Sequence, residues 1–163
     1  MQACLLLGGN VGNRKAYLDF ARFFIQRDLA TIVQESKIYE TEAWGEISTK
    51  AFLNQVLLVS TQLGPQELLQ ACLAIELKAG RKRRVKWEDR SLDIDILFYE
   101  NLILEESNLS IPHPEIPNRR FTLVALHELI PDFVHPILQK KVSELLDICP
   151  DKLKVQIYNS SLV

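Results

Sequence analysis

The spacing of apolar residues changes period several times along the chain, and each change marks an element. Residues 3–7, ACLLL, form a continuous apolar run of strand length. After GGNVGNR the spacing becomes helical, with Tyr17, Leu18, Ala21, Phe24 and Ile25 on one face and Asn13 placed as an N-cap. TIVQESKIY, 31–39, reads as a second, partly polar strand, and ETEAWGEISTK as a loop. AFLNQVLLVSTQL, 51–63, reads as a long strand, and Gly64-Pro65 opens a helix that buries Leu68, Leu69, Cys72 and Ile75. In LDIDILFY, period 2 puts Leu92, Ile94, Ile96 and Phe98 on one face and Asp93, Asp95, Leu97 and Tyr99 on the other. Residues 101–111 give a turn and a short strand. Pro112, Pro114 and Pro117 then hold off helix until about Asn118. The next helix turns Phe121, Val124, Ala125 and Leu129 inward, a short amphipathic helix surrounds Val142, Leu145 and Leu146, and KLKVQIY is a last strand. Irregular alternation of these elements, without repeats or linkers, predicts one α+β domain over 1–163 with a mainly antiparallel sheet.

Composition narrows the class. The chain has 163 residues, 47% hydrophobic and 25% charged, as expected of a soluble globular protein. A formal net charge of -2 gives no general basic field for nucleic acid. Cys4, Cys72 and Cys149 have no metal-binding spacing. Their odd number, with no secretory signal, fits a reducing cytoplasm. No segment is long enough to span a membrane.

Against this acidic background, GRKRRVKWEDRSLDIDILFY concentrates cations before two carboxylates. Asp93 and Asp95 share a strand face with Cα atoms roughly 6.5 Å apart. Paired carboxylates that close call for a cation between them, and hard oxygen ligands suit Mg²⁺. A basic run leading into a metal-binding strand points to a phosphorylated substrate. Around it, single residues keep two readings each. GGNVGNR is a tight strand-to-helix turn or a phosphate cradle, although it lacks the P-loop Lys-Ser/Thr and the GxGxxG spacing. Asn54 is a strand-start polar group or a reader of a heterocycle edge, with Trp44 and Phe52 as stacking faces. Glu76 is a solvated helix-edge carboxylate or part of the site. His113 sits in a rigid loop between two prolines. Arg119 and Arg120 open a helix, where cations oppose the dipole, and a local violation of this kind marks function.

Assembled in register, LLLGGNVGNR, YETEAWG with FLNQV, IELKAGRKRRVKWEDRSLDIDIL and IPHPEIPNRRFTLVALHE resemble the 6-hydroxymethyl-7,8-dihydropterin pyrophosphokinase family over residues 5 to about 129. The resemblance implies a ferredoxin-like α+β fold. It also implies transfer of the β,γ-diphosphate of ATP to the pterin hydroxymethyl oxygen, with release of AMP. Asp93 and Asp95 match the residues that hold two Mg²⁺, and Arg81 and Arg90 match arginines that stabilise the transferring group. Glu76, Arg83, Trp87, Ser110, His113 and Arg119 fall at ATP-side positions. Thr41, Glu42, Trp44, Phe52, Asn54 and Phe121 fall at pterin-side positions. The partners implied are these two small molecules, with neither nucleic acid nor membrane.

The chain departs from the family pattern at Gly9, where Ser is usual, and at Ala43, where Pro is usual. The cation run is one residue shorter before Trp87 than in some members, and nothing beyond about Pro131 matches. A competing class is an RNA-binding module using RKRRVK and Trp87, which the acidic balance and the Asp93/Asp95 pair disfavour.

Overall fold

The computed structural model describes residues 1–42, 50–80 and 91–159. Among them, six strands make one sheet: β1 (Gln2–Gly9), β2 (Ala30–Glu35), β3 (Tyr39–Thr41), β4 (Phe52–Thr61), β5 (Asp93–Tyr99) and β8 (Val155–Ile157). The order is β5-β1-β4-β3-β8, with β2 on the same flank of β4 as β3, and every pairing is antiparallel. A separate hairpin pairs β6 (Leu104–Glu106) with β7 (Leu109–Ile111). The helices are α1 (Arg14–Phe24), α2 (Pro65–Lys78), α3 (Arg120–Leu129) and α4 (Val142–Asp147). No described helix is long and apolar enough to cross a membrane.

Helices cover both faces of the sheet. Leu5, Leu7, Leu57, Ile94 and Ile96 meet Leu18, Ala21 and Ile25 of the first helical segment and Leu68, Cys72 and Ile75 of α2. On the opposite face Cys4, Leu6, Val56 and Leu97 meet Phe121, Ala125 and Leu126 of α3 and Val142 and Leu145 of α4. Each of the Leu, Ile, Val and Phe side chains among them contributes about 1.5–3 kcal/mol on removal from water, before entropy is charged. In α3 the buried set also includes Leu123, whereas Val124 and Leu129 are only partly covered.

Three local features differ from the periodicity. The expected strand 31–39 is broken at Ser36, whose side chain takes the place of a ladder partner. Val56 N donates to Ser36 Oγ (3.0 Å) and Gln55 Nε2 donates to Ser36 O (2.8 Å). The strand β1 runs on through Gly8 and Gly9, and the turn falls at Gly12 (φ 68), where Asn13 caps α1 by accepting from Ala16 N (3.0 Å). The third is a bulge. Leu5 pairs with Ile96 but Cys4 with Phe98, so Leu97 is an extra residue in β5.

That bulge reverses the expected faces of the last two strand residues. Phe98 joins Leu97 on the α3/α4 side, with its ring 4.6 Å from that of Phe133. Tyr99 moves to the α1/α2 side and donates its hydroxyl to Leu63 O (2.6 Å). Phe98→Ala is therefore expected to destabilise the fold by about 3–5 kcal/mol. In a denaturant double-mutant cycle it should couple to Phe133→Ala by about 0.5–1.5 kcal/mol. Additive losses would place Phe98 on the other face.

Candidate active site

Registry across the sheet puts the candidate residues in adjoining rows. Tyr39 pairs with Asn54, Asn54 with Gly8, and Gly8 with Asp93. In the next row Val56 pairs with Leu6, and Leu6 with Asp95. Period 2 gives these residues one face, the one that carries α3. Leu6 and Val56 are core there, but the row ending in Asp93 reaches beyond the helix and opens into a cleft. Asn54, Phe52, Thr41 and Glu42 line it from one side, and Asp93 and Asp95 from the other. Arg119 and Phe121, at the start of α3, complete its wall.

Asn54 is buried, and its Nδ2 donates to Thr41 Oγ1 (3.2 Å). Its carboxamide has room only because residue 8 is glycine. A Cβ on Gly8 would stand 2.7 Å from Asn54 Oδ1, well inside contact distance. Gly8 and Leu6 therefore belong to the cleft, and the apolar run that revealed β1 carried no sign of it. The GGNVGNR block ties strand ends together. Its Asn10 Nδ2 donates to Lys50 O (3.2 Å), and Arg14 reaches both Glu40 and Ala51 O (3.2 Å). These bonds fix the chain at Glu40, in β3, and at Lys50 and Ala51, just before β4.

A second cleft lies along the outer edge of β5. Leu69 and Leu73 of α2, the 106–110 turn, Ser110, His113 and Asp95 line it. Asp95 is thus common to both clefts. Ser110 Oγ donates to Glu105 Oε1 (2.7 Å). The bulged Leu97 places His113, accepting its backbone N–H at 2.9 Å. His113 Nδ1 accepts from Glu115 N (3.1 Å), so the neutral ring carries its proton on Nε2. Burial, reinforced by the Arg119 charge, pushes the imidazole down to about 4.

Glu76 and Arg119, both expected at ATP-side positions, are absent from the wall of the second cleft. Glu76 is only 1% exposed and lies in neither cleft wall. Its Oε2 accepts from Ile94 N (2.9 Å), between the two aspartates, so it holds the outer edge of β5. Arg119 lines the first cleft rather than the second, because α3 packs on the face that carries Asp93 and Asp95. Trp44, Arg81, Arg83, Trp87 and Arg90 lie outside the described residues. Burial raises the thiols of Cys4 and Cys72 to about 12, which removes them as nucleophiles.

Among the described residues, no cluster of three or more His, Cys, Asp or Glu side chains forms a closed metal site. The pair that exists suits an open Mg²⁺ site, because Mg²⁺ is ordinarily held by one or two carboxylates and takes its other oxygens from water and phosphate.

A sequence model of the family described as 7,8-dihydro-6-hydroxymethylpterin-pyrophosphokinase (HPPK) matches residues 4–131, the stretch that carries every described cleft residue. The chain belongs to the HPPK family. Over 138 residues it is 41% identical to the 2-amino-4-hydroxy-6-hydroxymethyldihydropteridine pyrophosphokinase of Aquifex aeolicus, covering 85% of this chain and 86% of that one. The enzyme of the same name from Bacillus subtilis is 38% identical over 128 residues, covering 78% and 77%. The fold also matches a solved HPPK-DHPS structure with a TM-score of 0.71 at 17% identity. A Plasmodium falciparum HPPK-DHPS structure matches with a TM-score of 0.69 at 19% identity. Each likeness covers 90% of this chain and 43% of the solved chain, so the chain spans less than half of those proteins. HPPK membership makes this chain a pyrophosphokinase of folate biosynthesis that transfers diphosphate to hydroxymethyldihydropterin.

Two outcomes follow for an HPPK with this geometry. Gly8→Ala should raise KM for the pterin about tenfold or more, since displacing the Asn54 carboxamide leaves a polar partner unmade. The melting temperature should stay within a few degrees, because the clash is with one side chain. An unchanged KM would show that Asn54 moves aside freely. Protonation of His113 supplies a second measurement. Between the ordinary 6.5 and about 4 only the unfolded chain takes up this proton, so stability is complete above 6.5 and declines toward pH 4. In metal-free denaturant titrations this should contribute up to about 1.4 kcal/mol per pH unit. His113→Asn should remove that part of the slope, and equal slopes for both proteins would refute the buried neutral ring.

Proposed function

We propose that the chain transfers the β,γ-diphosphate of ATP to the hydroxymethyl oxygen of 6-hydroxymethyl-7,8-dihydropterin, with Mg²⁺ held at Asp93 and Asp95. The position of Asp95, on the wall of both clefts, carries this reading. A transfer between two substrates needs one group of charges at the point where they meet.

The first cleft takes the pterin. Asn54 and Thr41 present donors and acceptors to the ring edge, and Phe52 and Phe121 offer faces for stacking. The second cleft takes the nucleotide, with His113 Nε2–H and Ser110 as its polar groups. The pterin hydroxyl oxygen attacks the β-phosphorus in line, the bond from that phosphorus to the AMP oxygen breaks with its electron pair leaving on AMP, and the hydroxyl proton passes to solvent. Arg119, beside the aspartates, offsets negative charge on the transferring group. Arg81 and Arg90 act on the same group, Arg83 and Trp87 hold the nucleotide, and Trp44 and Glu42 complete the pterin side. Asp93 and Asp95 would hold two Mg²⁺ ions, which would neutralise charge developing on the transferring group. The chain works as a single domain on these small molecules, and the three buried free thiols suit a reducing cytoplasm.

A coupled assay with ATP, Mg²⁺ and the hydroxymethyl-dihydropterin should yield equal amounts of AMP and the pterin diphosphate. Chelation should stop it. Asp95→Ala should lower kcat by about a thousandfold or more, given the several kcal/mol that such charge stabilisation supplies. Its circular dichroism should match that of the unaltered chain. ADP as the product, or turnover that survives in chelator, would overturn the reading.

A further inference from the structure

The family match ends at residue 131, yet the segment that follows reaches back to the site. It packs Val142, Leu145 and Cys149 on the α3 face and pairs β8 with β3. Between these two anchors lies Asp151, a carboxylate only 9% exposed. Its Oδ2 accepts from Arg120 N (3.0 Å), the first backbone donor of α3, and its Oδ1 accepts from Leu153 N (3.0 Å).

α3 lacks the means to end itself. Arg119 at its N-cap makes no side-chain cap, its first turn has no acidic residue, and two arginines stand at its positive pole. A carboxylate from elsewhere in the chain supplies both the missing acceptor and the missing negative charge. The residues on either side of the capped donor are Arg119 and Phe121, which form one wall of the first cleft.

We infer that Asp151 is a positioning residue for catalysis: as a cap in trans, it sets where the first turn of α3 holds Arg119 and Phe121 against the pterin and the transferring group. It touches neither substrate and acts through the backbone of Arg120. The inference rests on the proposed role of this cleft.

The test compares Asp151→Ala, Asp151→Asn, Phe121→Ala and Cys72→Ala in the full chain. Cys72→Ala truncates the core on the opposite face and serves as a control for stability alone. Steady-state constants are measured well below every melting temperature, with calorimetric binding of 6-hydroxymethylpterin in the presence of a non-hydrolysable ATP analogue. Asp151→Ala should raise the pterin KM and Kd about tenfold, the size of a lost N-cap. Cys72→Ala should leave both unchanged. Asp151→Asn, which keeps an acceptor for Arg120 N, should stay within about threefold of the unaltered chain. If Phe121→Ala weakens pterin binding but Asp151→Ala does not, the inference fails and the cleft assignment stands. If Asp151→Ala and Cys72→Ala weaken binding alike, the effect is general instability and the inference also fails. If Phe121→Ala has no effect, the cleft assignment fails and this inference falls with it.

Discussion

Antiparallel registry between β3, β4, β1 and β5 is the constraint from which the site follows. Because side chains alternate, a row such as Tyr39–Asn54–Gly8–Asp93 can face only one way, and a slip of one residue would bury the aspartate and expose the core. The registry is held by apolar residues on both faces of β1, where Leu5 and Leu7 face one helix pair and Leu6 and Cys4 the other. The same hydrophobic pattern that makes β1 a central strand therefore aligns two carboxylates from the edge of the sheet with an amide from its middle.

An edge strand is a weak place for charge, and β5 is secured from outside the ladder. Its outer N–H at Ile94 is taken by the buried carboxylate of Glu76, and the carbonyl of the bulged Leu97 accepts from His113. These bonds satisfy backbone groups that would otherwise invite another strand. They also tie α2 and the 111–115 loop to the strand that bears the aspartates. The bulge does two things at once, since it aims the Leu97 carbonyl at His113 and sends Phe98 to the α3/α4 core.

The first cleft depends on a different set of supports. Asn10 and Arg14 hold backbone at Lys50 and Ala51, while Glu128 on α3 accepts from the Tyr39 hydroxyl (2.6 Å) and from Lys37 N (3.1 Å). The cleft walls thus come from elements distant in sequence, fastened by the Asn10 amide and by charge-assisted bonds of Arg14 and Glu128 in addition to hydrophobic burial.

The sequence by itself determined most of the elements and the family. The α+β class follows from the periodicities, and period 2 alone puts Asp93 and Asp95 on one face. Family blocks between residues 5 and about 129 carry rare residue combinations at fixed spacing, and the family model matches residues 4–131. Only the tertiary structure decided what depends on packing. The bulge at Leu97, the break at Ser36 and the burial of Glu76 rest on side chains from other elements, which local pattern does not record. Gly8 reads as a turn residue until Asn54 is set beside it. The arginines at the start of α3 look out of place in sequence because the carboxylate that balances them, Asp151, lies far along the chain, and burial brings the two together.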